Sequence, residues 1–518
     1  MRKISLTLLS LFVFINVSYA ATYYVSSSNG NDSNPGTSNS PWEYCPGMAG
    51  WTGLATLSAG DVVFFNNADT WIASSGNAIL QVEGGVTYIG DSWGPGTRAI
   101  FRAMGDLRRS VINFMEDHAT YETVVQGFEV DGNDYYTSGI AIYYPNYTIG
   151  VALNRAVKRI ENCVVHNIDS VAASGQYAYG IIIRGDNGTS YVENVEILDT
   201  VVYNISRGAI NLYPHTNNSN DRIGNITIRG CETYSSADGS DPGYNAGQGL
   251  LIKGNVYNLV AEYNHFHGSN GSTGVGVLLA AAEGHTTGPS NITIRYNLVN
   301  NTSGDNIQIT NSASMSADFY GNVIWGSGYD TAVKITPSLA GTQSLKFYNN
   351  TFFDDNVRIW SNSATYSALE FKNNIFYETD ATPLTDDEGE ITSHNNNIYY
   401  RSGDGILVSL RGNLYTSSNL TSYEASALSS EPAFNNTSNL PSGFTGTYGV
   451  NLSTNTEGLN ISASSPTKDG GVSLGDTYNG SINSVVRPDG NAWDIGAYEH
   501  DTTDTTPPSP PSNFRIME

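Results

Sequence analysis

Cysteine and positive charge are both scarce in this chain. It has three cysteines in 518 residues, and 24 lysines and arginines face 49 aspartates and glutamates, for a net charge of −25. Three cysteines are an odd number, which argues against a disulfide scaffold. The strongly acidic balance argues against nucleic acid or an anionic membrane as a partner, but it leaves room for Ca²⁺, which binds carboxylate and carbonyl oxygens.

Long apolar runs are missing beyond the N-terminus. There, "MRKISLTLLSLFVFINVSYA" has two cations, a mostly apolar stretch and the small residues that signal peptidase requires. A membrane anchor is the alternative, but the run is short and no second span follows it. We therefore predict a signal peptide over residues 1–20, a mature start near Ala21, and a secreted or cell-surface protein with no membrane span.

Charged residues make up only 14% of the chain, whereas glycine (54) and tyrosine (33) are abundant. Asparagine is also frequent, and asparagine and glycine both tolerate positive φ where strands bend. This composition is typical of extracellular all-β proteins with many turns.

A degenerate unit recurs through the middle of the chain. Its copies read "ENCVVHN", "LDTVVYN", "RGCETYS", "YNHFHGS", "YNLVNNT", "GNVIWGS", "NNTFFDD", "NNIFYET" and "NNNIYYR". The second residues of the first eight copies and the third residue of the last stand at 162, 199, 230, 264, 297, 322, 350, 374 and 397, so the spacing varies from 23 to 37 residues. Such variation favours a solenoid with loops of unequal length.

Short β-rich segments accompany these copies. They read "GIAIYY", "GIIIRG", "GAINLYP", "GLLIKG", "GVLLAA", "DNIQIT", "TAVKIT", "NVRIWS" and "GILVSL". No amphipathic helix of useful length intervenes, and a sandwich or propeller would not show one strand pair at this period. The pattern predicts a right-handed parallel β-helix with asparagine-rich corners.

The repeats also constrain the cysteines. Cys163 and Cys231 follow similar strand entries two repeats apart. Stacked strands lie about 4.8 Å apart, so two repeats separate these residues by roughly 10 Å, too far for a disulfide. We expect both to fill the core as small apolar groups.

Both ends of the chain carry a family resemblance. "ATYYVSSSNGNDSNPGTSNSPW" resembles the opening, and "VVRPDGNAWDIGAYEH" the closing segment, of secreted parallel β-helix proteins of the pectate-lyase-like group with PbH1-type repeats. The resemblance implies one β-helix domain over 21–500. We divide it into an N-terminal cap and first turns (21–120), regular repeats (121–410) and a C-terminal segment (411–500), with a proline-rich tail over 501–518.

The second strands are expected to expose a cationic ridge. With a period of two, the outward positions of eight strands hold four cations and no acids, together with three aromatic residues. Aromatic faces suit sugar rings and cations suit carboxylates, so the ridge predicts binding of an anionic polysaccharide. Surface residues that merely prevent self-association are the alternative. The predicted substrate-binding residues are Tyr143, Asn211, Tyr213, His215, Lys334, Arg358 and Trp360.

Lys253 is the strongest catalytic candidate. "NAGQGLLIKGN" is similar to the glycine-rich strand that bears the lysine base in a family of calcium-dependent pectate lyases. That resemblance implies β-elimination on a uronate, with Lys253 as base and Arg184, two turns away, as carboxylate partner. A lysine acts as a base only when desolvation or a neighbouring cation lowers its pKa toward neutrality.

The resemblance is incomplete at the metal site. The family carries an aspartate cluster on the turn before the lysine, whereas this chain reads "ISRGAINLYPH" there. Asp238 and Asp241, with Asp186 beyond, are the candidate Ca²⁺ ligands, and ordinary turn aspartates are the alternative.

Other reactions remain open. Glycoside hydrolysis needs two carboxylates, for which Asp238, Asp241 and Glu283 are candidates, and a binding protein needs only the groove. His265 and His267 lie in "YNHFHGS"; we expect one to point inward, and without a third ligand the pair is a weak zinc motif.

Overall fold

The computed structural model describes residues 20–501 with internal gaps. The described ranges are 20–73, 78–105, 110–135, 138–143, 153–168, 178–185, 191–214, 221–236, 247–269, 274–281, 287–310, 313–329, 331–337, 341–360, 364–403, 405–453 and 458–501. The predicted signal peptide and proline-rich tail therefore lie almost entirely outside the described residues. Within the described ranges, no helix is long and apolar enough to cross a membrane.

Within the described residues, forty short strands make up almost all of the regular structure. The first fourteen are β1 (Thr22–Val25), β2 (Val62–Asn66), β3 (Thr70–Ala73), β4 (Leu80–Val82), β5 (Thr87–Trp93), β6 (Ala99–Ala103), β7 (Ile112–Phe114), β8 (Thr123–Gln126), β9 (Phe128–Tyr135), β10 (Ile140–Tyr143), β11 (Lys158–Glu161), β12 (Val164–Ile168), β13 (Tyr179–Arg184) and β14 (Tyr191–Leu198). The next fourteen are β15 (Val201–Ile205), β16 (Gly208–Leu212), β17 (Arg222–Arg229), β18 (Glu232–Ser236), β19 (Gln248–Lys253), β20 (Val256–Glu262), β21 (His265–His267), β22 (Val275–Ala280), β23 (Ser290–Arg295), β24 (Leu298–Asn300), β25 (Ile307–Thr310), β26 (Met315–Tyr320), β27 (Val323–Trp325) and β28 (Thr331–Thr336). The last twelve are β29 (Thr342–Tyr348), β30 (Thr351–Phe353), β31 (Asn356–Ile359), β32 (Thr365–Lys372), β33 (Ile375–Glu378), β34 (Leu384–Asp386), β35 (Ser393–Asn395), β36 (Ile398–Arg401), β37 (Val408–Leu410), β38 (Asn413–Tyr415), β39 (Phe444–Thr445) and β40 (Asn451–Leu452). In this part of the chain that the structure describes, three single-turn 3₁₀ helices lie after β38, at Leu420–Ser422, Thr447–Gly449 and Asp476–Tyr478.

Three long sheets run the length of the molecule. Sheet 1 has the order β1-β2-β5-β8-β11-β14-β17-β20-β23-β26-β29-β32-β35. Sheet 2 has the order β4-β7-β10-β13-β16-β19-β22-β25-β28-β31-β34-β37-β38, and sheet 3 the order β3-β6-β9-β12-β15-β18-β21-β24-β27-β30-β33-β36. All neighbours pair in parallel except β37 and β38, which close sheet 2 as an antiparallel hairpin. The chain is a right-handed parallel β-helix, as the sequence predicts.

Each turn contributes three strands, not the two that the sequence pattern suggests. The chain passes from sheet 1 to sheet 3 and then to sheet 2 before it begins the next turn. The recurring copies form sheet 3, and the segments from "GIAIYY" to "GILVSL" form sheet 2. Sheet 1 was missed because its strands precede the copies without a turn signal of their own. Strand β34 was missed because "LTD" is short and polar.

The interior is a stack of identical or similar side chains. Phe319, Phe347 and Phe371 stack in sheet 1 with centroid separations of 4.7 and 4.8 Å, and all three are fully buried. Each turn alone cannot bury its apolar face, so the core becomes continuous only through stacking on the neighbouring turn.

An asparagine ladder runs along the corner between sheets 1 and 3. Its members share complete burial and donate from Nδ2 to a main-chain carbonyl of the preceding turn; they are Asn264, Asn297, Asn322, Asn350, Asn374 and Asn397. Glu424 caps the ladder by accepting from the main chain and the side chain of Asn397. The residue before each ladder position has positive φ, which explains the "NN" pairs: in Asn349-Asn350 the first asparagine (φ 51°) turns the chain and the second joins the ladder.

Cysteine and threonine take the ladder positions in earlier turns. Cys163, Thr200 and Cys231 precede strands in register with the strand after Asn264, and the main-chain N–H of Cys231 donates to Asn264 Oδ1 at 2.9 Å. The Cys231 thiol lies 3.4 Å from the Ile197 carbonyl, where an asparagine amide would donate. Both cysteines are buried and free, as predicted.

Replacing Cys231 with asparagine is therefore expected to extend the ladder and stabilise the protein by about 1 kcal/mol, because an amide forms a stronger hydrogen bond than a thiol. The midpoint of guanidinium unfolding measures the change. Cys45 is equally buried but lies outside the ladder, so Cys45→Asn is the matched control and should destabilise. A lower midpoint for Cys231→Asn than for wild type would contradict the ladder assignment.

The C-terminal segment packs on the outer surface near sheets 1 and 3. Leu452, Leu459, Ile482 and Tyr498 form a buried cluster with residues such as Leu298 of β24. Arg487 is fully buried and is bound by Glu499 at 2.7 Å, by two carbonyl oxygens at Nη1 and Nη2, and by a third at Nε. The "RPDGNAWDIGAYE" motif is thus the closure of this segment.

Candidate functional site

The outer face of sheet 2 contains the strongest sequence-predicted residues. Strand pairing places Ile182, Asn211 and Leu251 in one row along the helix axis, and this row continues to Lys334 and Arg358. A second row begins with Tyr143 and Arg184, which pair directly. Within each strand, the residues of the two rows are two positions apart, as expected for side chains on the same face of a strand.

Tyr213 and Lys253 belong to the second row. Tyr213 follows Leu212, whose partners on either side are Ile183 and Ile252, so Arg184, Tyr213 and Lys253 occupy successive turns. Lys253 Nζ lies 4.9 Å from the centroid of the Tyr213 ring, which is a cation–π contact. Leu250 and Ile252, on either side of Leu251 in the same strand, are fully buried in the core. At about 4.8 Å per turn, Arg184 and Lys253 are roughly 10 Å apart along the axis.

Asn211 lies in the row beside this one and is fully buried. Neither its amide oxygen nor its amide nitrogen has a hydrogen-bond partner among the described residues. Gly208 makes room for it, since a Cβ at Gly208 would lie 2.7 Å from Asn211 Nδ2. A buried amide without a partner is costly, so this position is suited to an enclosed water. Its burial keeps Asn211 from the direct contact with substrate that the sequence predicts.

The other end of the ridge contains ion pairs. Lys334 lies 3.3 Å from Asp305, and Arg358 lies 3.4 Å from Asp387. The Arg358 guanidinium also stacks over Trp360 at 5.2 Å, and Trp360 is 53% exposed. The sequence analysis counted charges only at the outward positions of the strands. It missed both acids because Asp305 stands before β25 and Asp387 stands after β34. The exposed indole is the largest flat surface here that a sugar ring could contact.

Several predicted residues cannot be placed. His215, Asp186, Asp238, Asp241 and the hydrolase candidate Glu283 lie outside the described residues, and Tyr143 is described only by its main chain at the end of β10. The Ca²⁺ site accordingly stays a prediction.

A second polar cluster lies on the outer face of sheet 3. His265 and His267 both point outward, and Phe266 between them is buried in the core. The expectation that one histidine points inward was wrong, because residues i and i+2 of a strand share a face. Glu232 pairs with His265 in the strand register, and its carboxylate lies 2.9 Å from His267 Nε2.

Sequence reasoning missed Glu232. Aligning the copies on their second residues set position 230 beside Asn264, but the structure aligns Cys231 with Asn264 and hence Glu232 with His265. Aligning "CETY" with "NHFH" would have shown the pair.

A cavity of about 560 Å³ opens beside these histidines. Its walls are His265, His267, Asn300, Asn301, Trp325, Gly326, Phe353, Asp354, Leu440, Pro441 and Ser442. Below it, His166, Tyr203, Tyr234 and His267 stack in one row, with ring centroids 5.0, 4.9 and 5.4 Å apart. The cavity therefore lies between sheet 3 and the C-terminal segment.

Glu378 is a buried acid in β33, the strand that pairs with β30, which contributes Phe353 to the wall of the cavity. Burial, followed by the nearby charges of Asp354 and Asp355, raises the pKa of Glu378 to about 8. Its side chain is nearly inaccessible, and Oε1 has no hydrogen-bond partner among the described residues. The carboxyl is therefore protonated at neutral pH in the folded protein.

This shift predicts a pH-dependent stability. Between about pH 4.5 and 8 the folded state binds a proton at Glu378 that the unfolded state has lost, so its contribution to stability falls as pH rises. Glu378→Gln should remove that slope and raise the free energy of unfolding at pH 9 by about 2 kcal/mol. Guanidinium unfolding at pH 5, 7 and 9 measures it. Equal slopes for the variant and wild type would refute the assignment.

Comparison with known proteins finds only distant structural similarity. No family model matches the sequence, and no curated protein is similar to it. Among solved structures, the chain is similar to the pectate lyase Pel9A, at 15% identity over 93% of this chain and 97% of that one, with a TM-score of 0.46. It is also similar to a GH136 lacto-N-biosidase from Eubacterium ramulus (12% identity, 67% and 68% covered, TM-score 0.41) and to the A-module of the Azotobacter vinelandii mannuronan C-5 epimerase AlgE6 (11%, 72% and 91%, TM-score 0.37). At these identities the similarity concerns the fold alone.

Proposed function

We propose that this protein acts on an acidic polysaccharide bound along the outer face of sheet 2, and that it cleaves a uronate linkage by β-elimination. The observation that carries the proposal is the row Arg184, Tyr213 and Lys253 on three successive turns, with the Lys253 ammonium over the Tyr213 ring. Two cations flanking an aromatic ring match a polymer that alternates carboxylates with sugar faces.

The chemistry assigns a role to each side chain. Lys253, as the neutral amine, removes the proton at C5 of the uronate and becomes the ammonium; a C4–C5 double bond forms, and the C4–O4 bond breaks. The leaving oxygen takes up a proton from water, and the hydroxide so formed takes the proton from Lys253, so the reaction needs no oxidant or reductant. Arg184 neutralises the uronate carboxylate, whose charge grows as the C5 proton departs. Tyr213 positions the sugar ring and the lysine together.

Two further elements of the proposal come from the sequence. Asp186, Asp238 and Asp241 are the residues that would hold Ca²⁺, which would supply additional neutralisation of the substrate carboxylate. Secretion by way of residues 1–20 would bring the protein to extracellular polysaccharide. The names pectate lyase and mannuronan C-5 epimerase belong to proteins of similar fold, and this proposal depends instead on the residues of sheet 2.

One assay distinguishes the proposal from its alternatives. The protein is incubated with pectate, alginate, sulfated glycans and neutral glycans, with and without a chelator, while unsaturated uronate absorbance and reducing ends are followed. Both signals rising on a uronate polymer supports β-elimination. Reducing ends alone indicate a glycoside hydrolase, and retention on a glycan gel without cleavage indicates a binding protein; either result overturns the proposed reaction.

A further inference from the structure

Glu232, His265 and His267 form a compact group on sheet 3, away from the row on sheet 2. They come from the adjacent strands β18 and β21, and one ligand atom from each lies within 4.8 Å of the other two. Among the described residues, this is the one group of three histidine, cysteine or acidic side chains with such spacing. Two imidazoles and a carboxylate are the ligand types that Zn²⁺ binds.

His265 has a nitrogen available for coordination. Its side chain is 6% exposed, and Nε2 lies 2.7 Å from Asn300 Oδ1. The amide oxygen accepts, so Nε2 carries the hydrogen and Nδ1 carries the lone pair. Nδ1 is buried and has no hydrogen-bond partner among the described residues. A metal-bound histidine characteristically donates from its other nitrogen to such an oxygen.

The remaining two groups lie beside it. The ring centroids of His265 and His267 are 3.9 Å apart with the planes 22° from parallel, so one ring must rotate for both to bind the same ion, and Glu232 Oε1 lies 2.9 Å from His267 Nε2. Zn²⁺ binds an ionised carboxylate and neutral imidazoles, so we expect zinc affinity to fall at acidic pH.

The surroundings leave a position for a fourth ligand. Both histidines form part of the wall of the 560 Å³ cavity, together with Trp325 and Phe353. Three protein ligands beside an open space are typical of a zinc site that retains a water or another exchangeable ligand. A purely structural bond between His265 and Asn300 would not account for the unpaired Nδ1 of His265.

We propose that Glu232, His265 and His267 bind one Zn²⁺, or a similar divalent transition metal, with Asn300 holding His265 in the coordinating tautomer. The proposal is independent of the reaction on sheet 2.

The test uses the untagged full chain, stripped with a chelator and then dialysed against limiting ZnCl₂. We expect one Zn²⁺ per chain by mass spectrometry and a higher melting temperature with zinc than without it. His265→Ala and His267→Ala should each weaken zinc binding at least about 100-fold in a competition titration. Asn300→Leu, which removes only the supporting hydrogen bond, should weaken it about 10- to 100-fold.

His166 supplies the matched control. It lies in the same row as His267 and contacts Glu129 at 3.2 Å, but no second histidine of the described residues stands beside it, so His166→Ala should keep full zinc affinity. Glu232 is partly exposed, so Glu232→Gln should fold and keep the proposal testable even if His265→Ala fails to fold. Glu232→Gln should weaken zinc binding about 10-fold or more. The proposal would be overturned if the wild-type protein did not bind zinc stoichiometrically. It would also be overturned if Glu232→Gln and every histidine variant that folds bound zinc as tightly as the wild-type protein does.

Discussion

Replacing Lys253 with alanine is expected to slow formation of unsaturated uronate about 10³-fold, with most of the loss in kcat. A positioned base contributes roughly 10²- to 10⁴-fold to proton abstraction, and no other cation of the described row occupies the same turn. Arg184 is two turns away and cannot lose a proton at neutral pH. Initial rates on the polymer that the glycan panel selects, measured over a range of concentrations, separate kcat from KM.

Lys253→Arg makes this test specific for the base. The Tyr213 contact holds a cation at this position, so a charge-only role is also chemically reasonable. Arginine keeps the charge and the ring contact but cannot act as a base. We expect Lys253→Arg to bind polymer and remain inactive, whereas recovery of activity would assign Lys253 to carboxylate binding. Lys346→Ala, which removes a lysine from sheet 1, is the control and should retain wild-type rates.

The fold was predictable because its determinants are local and repeated. "GLLIKG" predicts a strand with Leu250 and Ile252 inward, and the structure confirms that both are buried in the core. The two-repeat separation of Cys163 and Cys231 also follows from the period. The catalytic roles of Lys253 and Arg184 stay predictions, since strand register fixes where these residues stand but not what they bind.

What the sequence could not reveal depends on contacts between turns. The ladder position is occupied by asparagine in later turns but by cysteine or threonine in earlier turns. Aligning the copies by their asparagines therefore placed the earlier copies one residue out of register. That slip hid the pairing of Glu232 with His265. Asp305 and Asp387 neutralise ridge cations from positions outside the strands, which periodicity does not describe.

The asparagine ladder predicts the largest loss of stability. Asn322 Oδ1 accepts from the main-chain N–H and the Nδ2 of Asn297, at 3.0 Å each. Its Nδ2 donates to the Ile294 carbonyl at 2.8 Å and to Asn350 Oδ1 at 3.0 Å. Asn322→Ala would leave the Asn297 N–H and the Ile294 carbonyl buried without these partners. At about 1–3 kcal/mol for each such group, we expect a loss of about 4 kcal/mol in the free energy of unfolding.

An exposed row of asparagines provides the comparison for that loss. Asn225 accepts from Asn258 at 3.0 Å and donates to Asn194 at 3.1 Å, so it also bridges two neighbouring turns, but its side chain is exposed to water. Because its φ is 54°, Asn225→Gly removes the side chain without straining the main chain. Water replaces the lost bonds there, and we expect a change below about 1 kcal/mol. The guanidinium midpoints of the two variants should therefore differ widely. Similar midpoints would mean that burial, rather than the hydrogen bonds of the ladder, holds successive turns together.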